Sequence, residues 1–165
     1  MTASLDSTAQ ALEEAAWVHG AALLGLVSPG DLMRWADAWI MRLDAPPYWL
    51  IEISTLKSGD PHAYVQLIEP EIRQPLALDG KTGLIAAAYH AGALEIERAL
   101  GLLHEISWSA DDGEDLPNPI WELLMEWDHD LDTGGDFDPR FRSALTGHLQ
   151  TLAQKPFLIQ PPSSC

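Results

Sequence analysis

Apolar residues recur at helical rather than strand spacing in the first part of the chain. The clearest helix follows residues 28–31, which supply an N-cap serine, a proline at the first helical position and an acid in the first turn. Its apolar stripe comprises Leu32, Trp35, Ala36, Trp39, Ile40 and Leu43. A capping box of Ser7 and Gln10 predicts an earlier helix that begins there, runs to about Leu24 and is ended by Gly25.

Prolines mark the next two helices of the first half. Pro47 precedes a segment from Tyr48 to about Lys57, whose apolar run is compatible with a helix or a short strand; helical neighbours favour the helix. Asp60 and the proline after it start a short helix that reaches Ile68. Pro70 and Pro75 then predict a loop.

The second half shows the same kind of helical patterning. Two helices are predicted over residues 84–91 and 95–106, separated by Gly92, and an acidic loop follows over residues 109–119. The next helix carries apolar residues at i, i+3, i+4, i+7 and i+11, ends at a glycine pair, and has this stripe: Ile120, Leu123, Leu124, Trp127 and Leu131. A last helix is predicted to begin with Asp138 as its N-cap and to carry Phe141, Leu145, Leu149 and Leu152.

These patterns predict an all-α fold. We expect one compact multi-helix domain over residues 1–155 and a loosely held tail over residues 156–165. The two halves share an order of glycine, proline and Asp-Pro punctuation. This order predicts two degenerate four-helix repeats, at residues 5–68 and 84–153, although the offset between matching landmarks varies along the chain.

Composition and length support a folded, intracellular protein. A chain of 165 residues with 47% hydrophobic and 21% charged residues is expected to bury roughly 70% of the surface that its unfolded form exposes. The single cysteine, Cys165, precludes an intrachain disulfide. No basic leader and no run of ~18 apolar residues is present, so we expect a cytoplasmic protein that is neither exported nor inserted in a membrane.

Negative charge is the most informative feature of the composition. The net charge is −16, from 25 acidic and 9 basic residues. Nucleic-acid backbones and anionic lipid surfaces would repel such a protein, which argues against both as partners. The charge is also localised, because residues 99–139 contain no Lys or Arg, whereas the segment from Glu105 to Asp138 holds twelve carboxylates.

The acidic second half contains the candidate binding site. Glu122, Glu126 and Asp130 follow i, i+4, i+8 spacing opposite the apolar stripe, and we expect no Lys or Arg to relieve their repulsion. Such a stripe suits a basic protein partner, with Trp121 and Met125 as apolar anchors. A solvated face of an acidic protein is the alternative. The candidate partner-binding residues are Glu114, Asp115, Trp121, Glu122, Met125, Glu126, Asp128, Asp130 and Asp132.

Other side chains suggest chemistry only weakly. The alternating acids after Asp128 resemble a calcium loop, but Gly134 and Phe141 occupy two of the ligand positions, so no metal site is predicted. No pair of the six histidines has the i, i+4 spacing of a helical zinc site, and no catalytic motif is found. We therefore predict no catalytic residue and no cofactor, and keep an enzyme built on His90, His104 and Glu105 as an alternative.

Seven tryptophans are many for this length. Trp35 and Trp39 lie one turn apart and follow a helix that carries Trp17, which predicts that the three fill the core between the first two helices. A ligand-binding aromatic box is the alternative. Trp108, at the edge of the acidic loop, is expected to be exposed.

Three segments of the first half carry a family resemblance. The sequences GLVSPGD at residues 25–31, WAD at 35–37 and PPYWLIEIS at 46–54 resemble the opening of small, acidic, helical bacterial proteins, some of which look like immunity proteins of interbacterial toxin systems. The resemblance implies a non-enzymatic inhibitor that docks on a basic toxin or enzyme and neutralises it. A helical scaffold that self-associates through Trp and Met surfaces is the alternative.

Overall fold

A computed structural model describes residues 2–110, 115–128 and 137–146 of the chain. Within these ranges the chain forms α-helices, one short 3-10 turn and no strand, which confirms the all-α prediction. The helices are α1 Thr2–Leu23, α2 Pro29–Ile40, α3 Tyr48–Thr55, α4 Pro61–Ile68, α5 Leu78–His90, α6 Ile96–Trp108, α7 Asn118–Asp128 and α8 Phe137–Thr146. None of the helices in the described ranges is both long enough and apolar enough to cross a bilayer.

The chain divides into two compact units, Met1–Leu76 and Ala77–Cys165. The segments predicted as repeats, 5–68 and 84–153, fall one in each unit, and the repeat itself stays a prediction. In the first unit α2 packs on α3, α3 on α4, and α4 on α1. In the second unit α5 packs on α6, α6 on α7, α7 on α8, and α8 back on α5.

Helix α2 forms as its sequence predicts. The Ser28 side chain accepts a hydrogen bond from the Asp31 amide, and the Asp31 carboxylate accepts one from the Ser28 amide at 2.8 Å. This capping box satisfies amide groups that have no partner inside the helix. Gly25 ends α1 with φ of 67°, a left-handed conformation that suits glycine.

The tryptophans of α2 lie in the core of the first unit, as predicted. Trp35 and Trp39 are buried, whereas Trp17 is half-buried. Both indole groups of α2 donate to the Glu14 carboxylate of α1, over 3.3 Å from Trp35 and 2.9 Å from Trp39. A buried indole N–H without an acceptor costs free energy, and one glutamate accepts from both indole groups.

Three predicted helix starts are wrong. Helix α1 begins at Thr2 rather than at Ser7, because no helix-breaking residue lies between them. Helix α5 begins at Leu78 rather than at Leu84. Two glycines lower its intrinsic helix propensity by about 1 kcal/mol each, but burial along nearly its whole length compensates. The buried residues of α5 are Leu78, Gly80, Thr82, Gly83, Leu84, Ile85, Ala86, Ala87, Ala88 and Tyr89.

The third error concerns α8. This helix begins at Phe137, so Asp138 lies inside its first turn and is not the N-cap. The Asp138 carboxylate instead accepts a hydrogen bond from the Tyr89 hydroxyl of α5. The segment from Tyr48 is helical, as favoured over a strand, and Asp60 caps α4 through the His62 amide at 2.9 Å. Leu131, the glycine pair before α8, Leu149 and Leu152 lie outside the described residues.

Candidate functional site

Helix α7 carries most of the predicted binding residues. Its apolar face, formed by Ile120, Leu123 and Leu124, is buried. Because a helix turns about 100° per residue, the positions in between project away from that face. The amides of Ile120 and Trp121 both donate to the Pro117 carbonyl, which fixes the first turn of the helix next to the acidic loop.

The structure places five of the predicted residues on one accessible surface. Asp115, Trp121, Glu122 and Asp128 are exposed and Met125 is half-buried. Trp121, Met125 and Asp128 follow i, i+4, i+7 spacing on a single face of α7, and Glu122 adjoins it. We call Asp115, Trp121, Glu122, Met125 and Asp128 the α7 acidic surface. The predicted residues Glu114, Asp130 and Asp132 lie outside the described residues.

Glu126 is predicted as an unpaired carboxylate of the binding surface, but the structure pairs it with an arginine. Arg140 of α8 donates to both of its carboxylate oxygens, at 3.2 and 2.7 Å. This hydrogen-bonded pair lowers the pKa of the Glu126 carboxyl. The prediction that no basic residue relieves the acidic stripe is therefore wrong, because packing of α8 on α7 brings in an arginine from 14 positions away.

A small cavity of about 380 Å³ adjoins the α7 acidic surface where α6 ends and α7 begins. It is lined by Ser107, Asp115, Leu116, Asn118 and Trp121. Leu116 is buried and supplies apolar surface, whereas Asp115 and Asn118 are exposed. Two of the predicted binding residues, Asp115 and Trp121, thus meet in one concave site that the sequence alone did not indicate.

A second, more open groove separates α7 from α8. Its volume is about 680 Å³ and its lining residues are Pro119, Glu122, Leu123, Pro139, Arg140, Ser143 and Ala144. Glu122 belongs to the α7 acidic surface and also lines this groove. Its carboxylate and the Arg140 guanidinium give the groove groups of both signs, so it offers no single charge preference.

Trp108 is exposed, as predicted, with 76% of its surface accessible. Its indole N–H donates to Nε2 of His104 at 3.0 Å, one turn earlier on α6. The His104 ring also meets Trp127 of α7 edge-on, with centroids 6.5 Å apart. The sequence analysis did not predict this cluster. The i, i+4 spacing of His104 and Trp108 could have indicated their contact, whereas the contact with Trp127 depends on helix packing.

The residues of the alternative enzyme site have separate surroundings. His90 is the last residue of α5, and its Nε2 lies 3.1 Å from the Arg142 carbonyl oxygen of α8. His104 lies eight residues into α6, roughly 12 Å along the helix from its start, and contacts tryptophans. Glu105 is exposed. The structure therefore gives these groups different neighbours rather than one common pocket.

Metal ligands show no clustering in the described ranges. No group of three or more His, Cys, Asp or Glu residues is arranged there to hold a metal ion. The loop with alternating acids after Asp128 lies outside the described residues.

Comparison with known proteins does not assign the chain to a class. No known protein family, curated protein or solved structure matches it.

Proposed function

We propose that the protein is a non-enzymatic binding protein that docks on a basic protein partner through the α7 acidic surface. The carrying observation is that Trp121, with 41% of its surface accessible, lies on the same helix as the exposed carboxylates of Glu122 and Asp128. None of the ion pairs in the described part of the chain involves Asp115, Glu122 or Asp128.

This combination suits protein recognition. Exposed tryptophans are frequent binding anchors, because they bury a large apolar area at little entropic cost. The surrounding carboxylates would attract a basic surface, speed association and make binding fall with salt. The Glu126–Arg140 pair neutralises one acid at the edge of this surface, so the charges that face a partner are fewer than the sequence indicates.

The finer form of the proposal is an immunity-like inhibitor that neutralises a cognate toxin or enzyme in the cytoplasm. It is supported by the acidity of the chain and by the resemblance of residues 25–54 to small acidic bacterial proteins. A steeply salt-dependent association with a basic domain is the behaviour expected of such an inhibitor.

The test is a capture experiment with charge-reversed baits. The wild-type chain is immobilised as bait, and the proteins that it retains from a lysate of the cells in which it naturally occurs are compared with those retained by Glu122→Lys/Asp128→Lys. The matched control, Asp44→Lys/Glu69→Lys, changes the net charge equally at exposed positions of the first unit. We expect a basic protein whose retention drops at least tenfold with the first variant and is unchanged with the control. Equal retention by all three baits contradicts the proposal.

A self-associating scaffold is the second candidate. Met41, Tyr48 and Ile51 of the first unit have 82%, 72% and 38% of their surfaces exposed, and contiguous exposed apolar surface is what marks an association site. Light scattering at low and high salt tests it, because a hydrophobic dimer persists in salt. A monomer at both salt concentrations argues against the scaffold, as does a dimer that Tyr48→Ser/Ile51→Ser leaves intact.

A further inference from the structure

The cavity between the end of α6 and the start of α7 has the composition of a cation site. Among the described residues, its lining contains one carboxylate, from Asp115, one indole, from Trp121, and the polar groups of Ser107 and Asn118. None of these described lining residues is basic. At about 380 Å³ it lies at the lower end of the roughly 300–1,000 Å³ typical of ligand pockets, which suits a single side chain.

No Lys or Arg lies close to this cavity in the sequence. Residues 99–139 contain no Lys or Arg, so the segments that form the cavity cannot fill it locally. Arg140, the first basic residue after that stretch, is bonded to both oxygens of Glu126. The carboxylate of Asp115 takes part in none of the ion pairs among the described residues.

We propose that this cavity receives the guanidinium group of an arginine from the basic partner. The inference rests on the proposed binding function and names the side chain that the surface recognises. Arginine fits better than lysine, because a planar guanidinium stacks on an indole while it donates two parallel hydrogen bonds to a carboxylate. The compact ammonium of lysine offers neither the flat face nor the fork.

The test uses N-ethylguanidinium as the probe in an NMR titration at constant ionic strength. The indole N–H signal of Trp121 is assigned by its loss in Trp121→Phe, and the Asn118 side-chain amide serves as a second reporter. We expect both signals to shift saturably with N-ethylguanidinium. N-ethylurea, which has a similar shape without the charge, and N-ethylammonium should each bind at least tenfold more weakly.

Two isosteric variants test whether binding of the cationic probe requires the negative charge of Asp115. Asp115→Asn should weaken N-ethylguanidinium binding at least tenfold. Glu97→Gln, which removes an exposed carboxylate of α6 that lies outside both the cavity lining and the α7 acidic surface, should leave binding within about twofold. Tenfold is about 1.4 kcal/mol at 25 °C. Both positions are exposed, so both variants are expected to fold, which circular dichroism verifies.

Three results overturn the inference: equal shifts with N-ethylurea, equal binding of N-ethylammonium, or undiminished binding to Asp115→Asn. The proposed function is still supported after any of these results if the Glu122→Lys/Asp128→Lys variant no longer captures the basic protein. The function itself falls if that double reversal has no effect on capture, whatever the probe does. The failure of each idea therefore has its own readout.

Discussion

The hydroxyl of Tyr89 donates a hydrogen bond to Oδ1 of Asp138, which fastens α8 to α5 across 49 positions of sequence. The same tyrosine ring meets Phe141 edge-on, with centroids 5.1 Å apart, and lies under the Arg142 guanidinium at 4.7 Å. Tyr89 is thus the centre of a contact that holds the last described helix in the second unit. Its partners lie on successive turns of α8, so this one side chain contacts that helix at three positions.

Tyr89→Phe tests the contribution of the hydroxyl. The variant keeps the ring contacts but removes the donor to a charged acceptor, for which we expect a loss of about 1.5–3 kcal/mol in the free energy of unfolding. Urea unfolding followed by circular dichroism measures it. Tyr48→Phe is the control, because Tyr48 is 72% exposed. Equal stability of the two variants would contradict the role of the hydroxyl.

The same hydrogen bond predicts a loss of stability in alkali. Burial, the hydrogen bond to Asp138 and its negative charge raise the pKa of Tyr89 from 10.0 to about 12. Since the folded-state pKa exceeds the unfolded one, the contribution of this group is complete below pH 10 and is lost as the pH rises towards about 12.

Unfolding measured across this range compares the wild type with Tyr89→Phe. The stability difference between the two proteins should shrink as the pH rises. In the wild type the Tyr89 phenol ionises at a lower pH in the unfolded chain than in the folded protein, which favours unfolding, whereas Tyr89→Phe has no such group. A difference that stays constant from pH 10 to about 12 would contradict the raised pKa.

Glu14 is expected to be important for the first unit. Glu14→Ala leaves the buried indole groups of Trp35 and Trp39 without their acceptor, which should cost about 1–3 kcal/mol. Glu13→Ala, at the exposed neighbouring position of α1, is the control and should change stability by about 0.5 kcal/mol or less. Thermal unfolding and the near-ultraviolet tryptophan signal report the effect. Glu14→Gln should restore part of the loss, since an amide oxygen still accepts.

The capping box of α2 is a reciprocal pair and should behave as one. Ser28→Ala is expected to lower stability by about 1 kcal/mol. Asp31→Ala removes the opposite half of the box and the ion pair of Asp31 with Arg34. A double-mutant cycle measured by urea unfolding should show that the two losses are not additive. Additive losses would mean that the two hydrogen bonds act independently.

The Glu126–Arg140 pair should stabilise the fold only when the carboxylate is ionised. Its folded-state pKa lies below the ordinary value of 4.5, so its contribution is present above that pH and is lost as the pH falls through the folded-state value. Glu126→Gln should therefore be slightly less stable than the wild type at neutral pH and equally stable in acid. Exposure and salt screening keep the effect small. A difference that does not depend on pH would contradict the ion pair.

Local signals in the sequence determined the helical class of this protein and several of its helix ends. Ser28 with Asp31, Asp60 with Pro61, and Gly25 act within one helical turn, so they specify helix ends before any packing is known. The α7 stripe likewise separates buried Ile120 from exposed Trp121 by spacing alone. The all-α class and the exposure of the candidate surface follow from such short-range patterns.

Tertiary structure decided the features that depend on residues far apart in sequence. No local pattern pairs Arg140 with Glu126, or brings the Tyr89 hydroxyl to Asp138. The cavity of Asp115 and Trp121 likewise forms only because α6 and α7 pack together. The reason is physical. Spacing along a helix determines which side chains share a face, whereas the packing of helices determines which charged side chains from different helices meet. The packing therefore determines which acidic residues remain exposed together as one surface.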